Sequence, residues 1–262
     1  APAPATFYSV LIHAHSITEA ASTQHECTEE VTISRSFCHP SYNDNTMVAD
    51  ICLLQLERPA TCGERLFSMG ALAHLDTENS VLTAPGTDAV VAGWGLTYED
   101  GDPNNHAVVG VPHRPSNARE VTIPLISNDE CKRQYAPTEV TLGMVCAGVP
   151  AGGVDSCQGD SGGPLVVFNS GRAFLIGVVS FGYGCARPGY AGIYARVAHY
   201  RDWILTHVPS LGRPAGPPPP PGAPVPPTPP PSPSPPPRPP SAPPAAPTSC
   251  SNECFHASAS DC

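Results

Sequence analysis

The chain has 262 residues, 35 of them proline and 11 cysteine, and a formal charge of -10. That charge, with nothing basic clustered against it, argues against nucleic acid or an anionic membrane as a partner. No apolar run approaches the ~18–20 residues that span a bilayer, so no membrane span is expected.

The first residues, Ala1-Pro2-Ala3-Pro4, contain no Met and no apolar leader, which reads as a leader removed or a front missing. Residues 1–212 then read as β structure, long enough to bury a sizeable core. Val31-Thr32-Ile33-Ser34 alternates, and Ile51–Leu56 and Val90–Ala92 are short apolar runs bounded by turn residues. Ser127-Asn128-Asp129-Glu130 is a capping box that predicts a helix ending before Pro137. Pro164–Phe168 and Phe174–Val179 flank Asn169-Ser170-Gly171-Arg172, a hairpin signal. Tyr200, Ile204 and Val208 share one face of a final helix that also carries Trp203.

Residues 213–249 are almost entirely Pro, Ser, Ala and Gly and cannot build a core, so an extended polyproline linker is expected there. Its composition resembles the hydroxyproline-rich spacers of plant and algal wall proteins. Cys250, Cys254 and Cys262 then read as the start of a small cysteine-rich module, cut off within residues 250–262. Eleven cysteines without CxxC…CxxC metal spacing point to an oxidising, secretory compartment, and an odd count leaves one thiol unpaired within the chain. Neither a metal nor an organic cofactor is implied.

The strongest chemical signal is Asp155-Ser156-Cys157-Gln158-Gly159-Asp160-Ser161-Gly162-Gly163-Pro164. A serine hydroxyl is a weak nucleophile until its surroundings activate it, and glycines beside it let backbone N–H groups turn toward a developing oxyanion. On this decapeptide, with Ala49-Asp50-Ile51-Cys52-Leu53-Leu54 and Gly93-Trp94-Gly95, the chain resembles the trypsin/chymotrypsin family of serine proteases (peptidase family S1) from about residue 7 to 208. The resemblance implies an all-β fold of two packed six-stranded Greek-key barrels with a C-terminal helix, the first barrel incomplete. It implies Ser161 as nucleophile, Asp50 as the aspartate that orients a histidine, and the amides of Gly159 and Ser161 as the oxyanion hole. On its own, Asp50 would read as a turn residue before a strand. The Asp50–Ser161 separation is longer than the family's, which places extra loop around Tyr98–Asn117.

The resemblance also puts Asp155 at the base of the primary pocket, with Ser180, Phe181, Gly182 and Gly192 along its walls. A carboxylate under an open slot implies cleavage after Arg or Lys. The substrates would be proteins or peptides with such a residue at the cut, with protein inhibitors as further partners. Disulfides Cys131–Cys146 and Cys157–Cys185 follow the family pattern. Cys27, Cys38, Cys52 and Cys62 do not, and Cys52 reads as a small buried apolar residue.

Two family features are missing. The expected histidine position falls near residue 5, in a stretch without one, and His13 and His15 lack the Ala-Ala-His-Cys setting. No Ile-Val-Gly-Gly start is present, so Asp160, which in the family pairs with a new N-terminal amine, is expected to lack a partner. Residues 1–262 alone are therefore expected to be close to inactive. Three readings follow: a secreted Arg/Lys-specific endopeptidase with its front missing, a non-catalytic homologue that binds basic peptides, or a wall or matrix protein whose working part is the proline-rich tail.

Overall fold

The computed structural model describes residues 8–63, 74–75, 81–99 and 113–212. The proline-rich linker, the terminal cysteine module and residues 100–112 of the long loop lie outside the described residues. In the first half, β1 (Ser9–Ile12), β2 (Glu29–Cys38) and β3 (Cys52–Leu56) form an antiparallel sheet in the order β1-β2-β3. One turn of helix, α1 (Ala21–Gln24), lies between β1 and β2. Val31 and Ile33 of β2 are buried while Thr32 and Ser34 are exposed, as the two-residue strand period requires.

In the second half, β4 (His74–Leu75) adds as a parallel strand to β9 (Arg172–Phe181). The remaining strands are β5 (Asp88–Gly93), β6 (Arg119–Ile126), β7 (Met144–Ala147), β8 (Pro164–Asn169) and β10 (Gly192–Arg196). They pair antiparallel around the circuit β5-β6-β7-β10-β9-β8 and back to β5, a closed six-stranded barrel. Closure removes the free edges an open sheet would leave. Ala89, Val91, Ile123, Leu125, Leu165 and Tyr194 fill its interior. The β8–β9 hairpin turns through Ser170 (φ 51°) and Gly171 (φ 74°), the pair of left-handed residues that a tight two-residue hairpin needs.

Helix α2 (Asn128–Tyr135) starts at Ser127, whose Oγ accepts the Glu130 N–H at 3.1 Å. The capping box is half used, because the Glu130 carboxylate takes Arg133 instead. Helix α3 (Val197–His207) follows β10 directly and buries Val197, Tyr200 and Ile204 against Ala49 and Ile51 of the first half. At about 1.5–3 kcal/mol for each fully buried large aliphatic side chain, this cluster is what sets the segment carrying Asp50 against the barrel.

Four disulfides are formed: Cys27–Cys62, Cys38–Cys52, Cys131–Cys146 and Cys157–Cys185. Cys52 is exposed and bonded, which overturns its reading as a small buried apolar residue. The β2–β3 register places Cys38 directly opposite Cys52, with Cα atoms 3.9 Å apart, so both side chains leave the same face of the sheet.

Candidate active site

Around Ser161 the chain folds through two successive tight turns, the Asp160 N–H donating to Cys157 O at 3.0 Å and the Gly163 N–H to Asp160 O at 2.8 Å. Gly159 (φ 96°) supplies the left-handed backbone that admits them, and the ideal Cβ position there is 3.2 Å from Gly95 Cα. Ser161 is exposed. Among the described residues its hydroxyl and the amides of Gly159 and Ser161 make no hydrogen bond.

The turn carrying Ser161 is fastened to β9. The Gly162 N–H donates to Val179 O and the Val179 N–H to Gly163 O, both at 2.9 Å. The next residue of the strand, Ser180, donates its hydroxyl to Asp50 Oδ2 at 2.6 Å. Two segments far apart in the sequence thus meet on consecutive residues of one strand. Asp50 is half-buried and follows Ala49, held at φ 56°. Tyr200 of α3 packs in the same buried cluster as Ala49. Ser180, expected along the pocket wall, touches Asp50 as well.

None of the described histidine rings touches this pair. His13 packs on His25 with centroids 4.6 Å apart, His113 stacks on Tyr98, and His39 sits edge-on to Tyr200 and Trp203. His199 packs on Tyr200 and His207 on Phe37 and Trp203. His15 is used through its backbone, its carbonyl accepting Trp94 Nε1 at 3.1 Å.

Asp160 does have partners, contrary to expectation. Its Oδ1 accepts the Gly95 N–H at 2.8 Å and its Oδ2 the Cys157 N–H at 3.0 Å. The carboxylate satisfies its charge on backbone amides because two glycines let it approach. A Cβ on Gly93 would stand 2.0 Å from Asp160 Oδ1, and one on Gly95 would stand 2.5 Å from Oδ2. Gly95→Ala is therefore expected to cost about 1–3 kcal/mol through overpacking, read as a lowered urea midpoint. An unchanged midpoint would contradict this packing. Asp160 borders a cavity of about 250 Å³, lined also by Gly95–Glu99, Gly153–Cys157, Cys185 and Ala186.

Asp155 is held by the Ser156 N–H on Oδ1 at 2.8 Å and the Ala186 N–H on Oδ2 at 3.2 Å. Burial is the largest influence on this carboxyl and raises its pKa to about 6, against the lowering effect of those hydrogen bonds. A Cβ on Gly192 would lie 2.9 Å from Asp155 Oδ1, so any other residue there would sit on the carboxylate. A Cβ on Gly182 would meet nothing closer than the Gly184 carbonyl at 3.4 Å. Phe181 meets Tyr135 edge-on at 6.0 Å. The Cys157–Cys185 bond ties this wall to the turn carrying Ser161.

With the closed barrel, the terminal helix and this site in place, residues 6–204 match the family model described as Trypsin. The chain belongs to the trypsin family. Trypsin-1 of Astacus astacus is 39% identical over 178 residues, which are 67% of this chain and 67% of that protein. Trypsin of Saccharopolyspora erythraea is 40% identical over 176 residues, with the same two shares. Serine protease 56 of Homo sapiens is 40% identical over 192 residues, 72% of this chain but 29% of that protein. The chain therefore spans two thirds of the first two and under a third of the last. Membership agrees with the expected chymotrypsin-like, all-β architecture.

In this member of the trypsin family, two further groups stand beside Asp155 and Cys185. Tyr194 reaches in from β10 with its hydroxyl 3.3 Å from Ser156 Oγ. Glu99 accepts the Cys185 N–H at 3.1 Å and Arg187 Nε at 2.8 Å, clamping the wall from the neck of the long loop. Gly184 (φ 73°) makes room, since a Cβ there would lie 2.2 Å from Arg187 Nε. Tyr194 ends the Gly189–Tyr194 string, which resembles a pocket wall of the family, whereas Glu99 stands in no motif. Each is brought to the site by a pairing distant in sequence.

Proposed function

We propose that this chain carries the acyl-transfer machinery of a secreted serine endopeptidase that cuts protein or peptide chains after Arg or Lys. The observation that carries the reading is Asp155, an enclosed carboxylate flanked by Gly192 and by no basic side chain among its hydrogen-bond partners. A cation is the ligand that makes ionising it favourable.

In this reading the substrate backbone pairs with Ser180–Gly182 as an added strand, and its Arg or Lys side chain enters between Gly182 and Gly192. Ser161 Oγ attacks the scissile carbonyl, and the amides of Gly159 and Ser161 take the oxyanion. The serine proton passes to a histidine oriented by Asp50 and then to the leaving amine. That histidine comes from outside the described residues. The cavity beside Asp160 is where an N-terminal amine would reach that carboxylate. Four disulfides suit an oxidising compartment, and no described helix is long and apolar enough to cross a membrane. The second reading, a non-catalytic binder of basic peptides, draws on the histidine contacts and keeps the same pocket.

The pocket is tested by the affinity of benzamidine, a planar amidinium, as a function of pH. Free Asp155 is protonated below about pH 6 and must ionise to hold the ligand. Affinity should therefore fall about tenfold between pH 7 and pH 5, one decade per unit below the raised pKa. A flat profile, or tighter binding of a neutral analogue, would remove Asp155 from the floor of the pocket.

A further inference from the structure

We infer that this chain is built to escape endopeptidases of Arg/Lys specificity, its own included, through a proline placed after each described arginine that lies outside the helices and strands. The inference deepens the proposed specificity and rests on it for the words "its own". The protection itself is a property of the chain as a substrate.

An endopeptidase takes its substrate as an extended strand, so a bond inside a helix or a paired strand must first unfold locally. The sequence contains 13 Lys and Arg. Seven lie within elements of the fold: Arg35 in β2, Arg119 in β6, Lys132 and Arg133 in α2, Arg172 in β9, Arg196 in β10 and Arg201 in α3. Three described arginines lie outside regular elements, Arg58, Arg114 and Arg187. They are followed by Pro59, Pro115 and Pro188. Only 14 of the first 212 residues are proline, so three out of three by chance is on the order of one in 3,000.

The same pattern continues beyond the described residues. Arg213 and Arg238, the two basic residues of the proline-rich stretch, precede Pro214 and Pro239. Residues 100–112 contain neither Lys nor Arg. Arg65, before Leu66, is the exception and lies outside the described residues.

Proline protects for two connected reasons. It has no N–H with which to extend strand pairing past the cut. Its ring crowds the backbone of the preceding residue, where the nucleophile must approach. A weaker second layer acts on the side chains. Arg58 pairs with Glu29 at 2.5 Å and Arg187 with Glu99 at 2.5 Å, so each cation must leave a carboxylate before entering a pocket. Such half-exposed pairs are worth little, so the prolines are the main device. The consequence is lifetime: the folded domain and its proline-rich extension stay joined where such proteases are active.

The test uses pancreatic trypsin on the native chain, with new termini read by mass spectrometry, so it does not depend on this chain's own activity. The parent should show no ends after Arg58, Arg114, Arg187, Arg213 or Arg238 over a time in which the denatured chain is cut at Arg119 and Arg172. Pro59→Ala, Pro188→Ala and Pro214→Ala should each be cut at the altered bond at least about tenfold faster. Pro59 and Pro188 are exposed, and circular dichroism before digestion checks that those variants fold. Cleavage of the parent at any of these Arg–Pro bonds, or variants as resistant as the parent, would overturn the inference. A flat benzamidine profile with protected Arg–Pro bonds would instead remove only the words "its own".

Discussion

Replacing Asp155 by serine is expected to weaken benzamidine binding by about 10²–10⁴-fold, because removing one partner of an enclosed charge pair costs about 3–5 kcal/mol. Isothermal titration on parent and variant reads this directly, without catalysis. A loss under about threefold would show that the amidinium binds elsewhere. Asp155→Asn should also shift the pH dependence of stability. The folded carboxyl has its pKa raised from 3.8 to about 6, so below pH 4 it is neutral whether folded or not and contributes nothing. Between about pH 4 and 6 the unfolded chain ionises while the folded chain does not, and the parent loses stability as pH rises. The loss levels off above pH 6 at up to about 3 kcal/mol, a limit set by the raised pKa. The variant should lack this decline, which paired urea titrations at pH 4 and pH 7 would reveal.

The second large effect concerns turnover. Residues 1–262 alone are expected to hydrolyse an arginyl anilide about 10⁶-fold more slowly than a trypsin with a complete triad, roughly 8 kcal/mol of transition-state stabilisation. His39 packs against Tyr200 and Trp203, and His113 against Tyr98. Ser161→Ala on this background should change the residual rate little, because residues that act as a unit do not lose activity additively. Stopped and continuous assays on both proteins decide it. A parent rate within about 10²-fold of an intact trypsin, abolished by Ser161→Ala, would mean that a histidine already in the chain fills the role.

The sequence by itself determined whatever depends on residues close along the chain. Asn169-Ser170-Gly171-Arg172 announces its hairpin because Ser170 and Gly171 are the residues that take the left-handed backbone there. Ser127 announces the start of α2 because its hydroxyl needs to reach only three residues forward. The glycines around Ser161 mark a tight turn, and these local strings were enough to point to the family. The tertiary structure alone decided what depends on register and on distant packing. Cys38 faces Cys52 only once β2 and β3 are aligned, and a slip of one residue would turn them to opposite faces. Asp160 finds the Gly95 amide only because a closing barrel brings two glycines under it. The segments carrying Asp50 and Ser161 meet on Ser180 and Val179 only because α3 packs Ala49 and Ile51 against the barrel. Turn and cap preferences are written in a few adjacent residues, whereas contacts between distant segments arise from the summed burial of many side chains, which no single stretch of sequence displays.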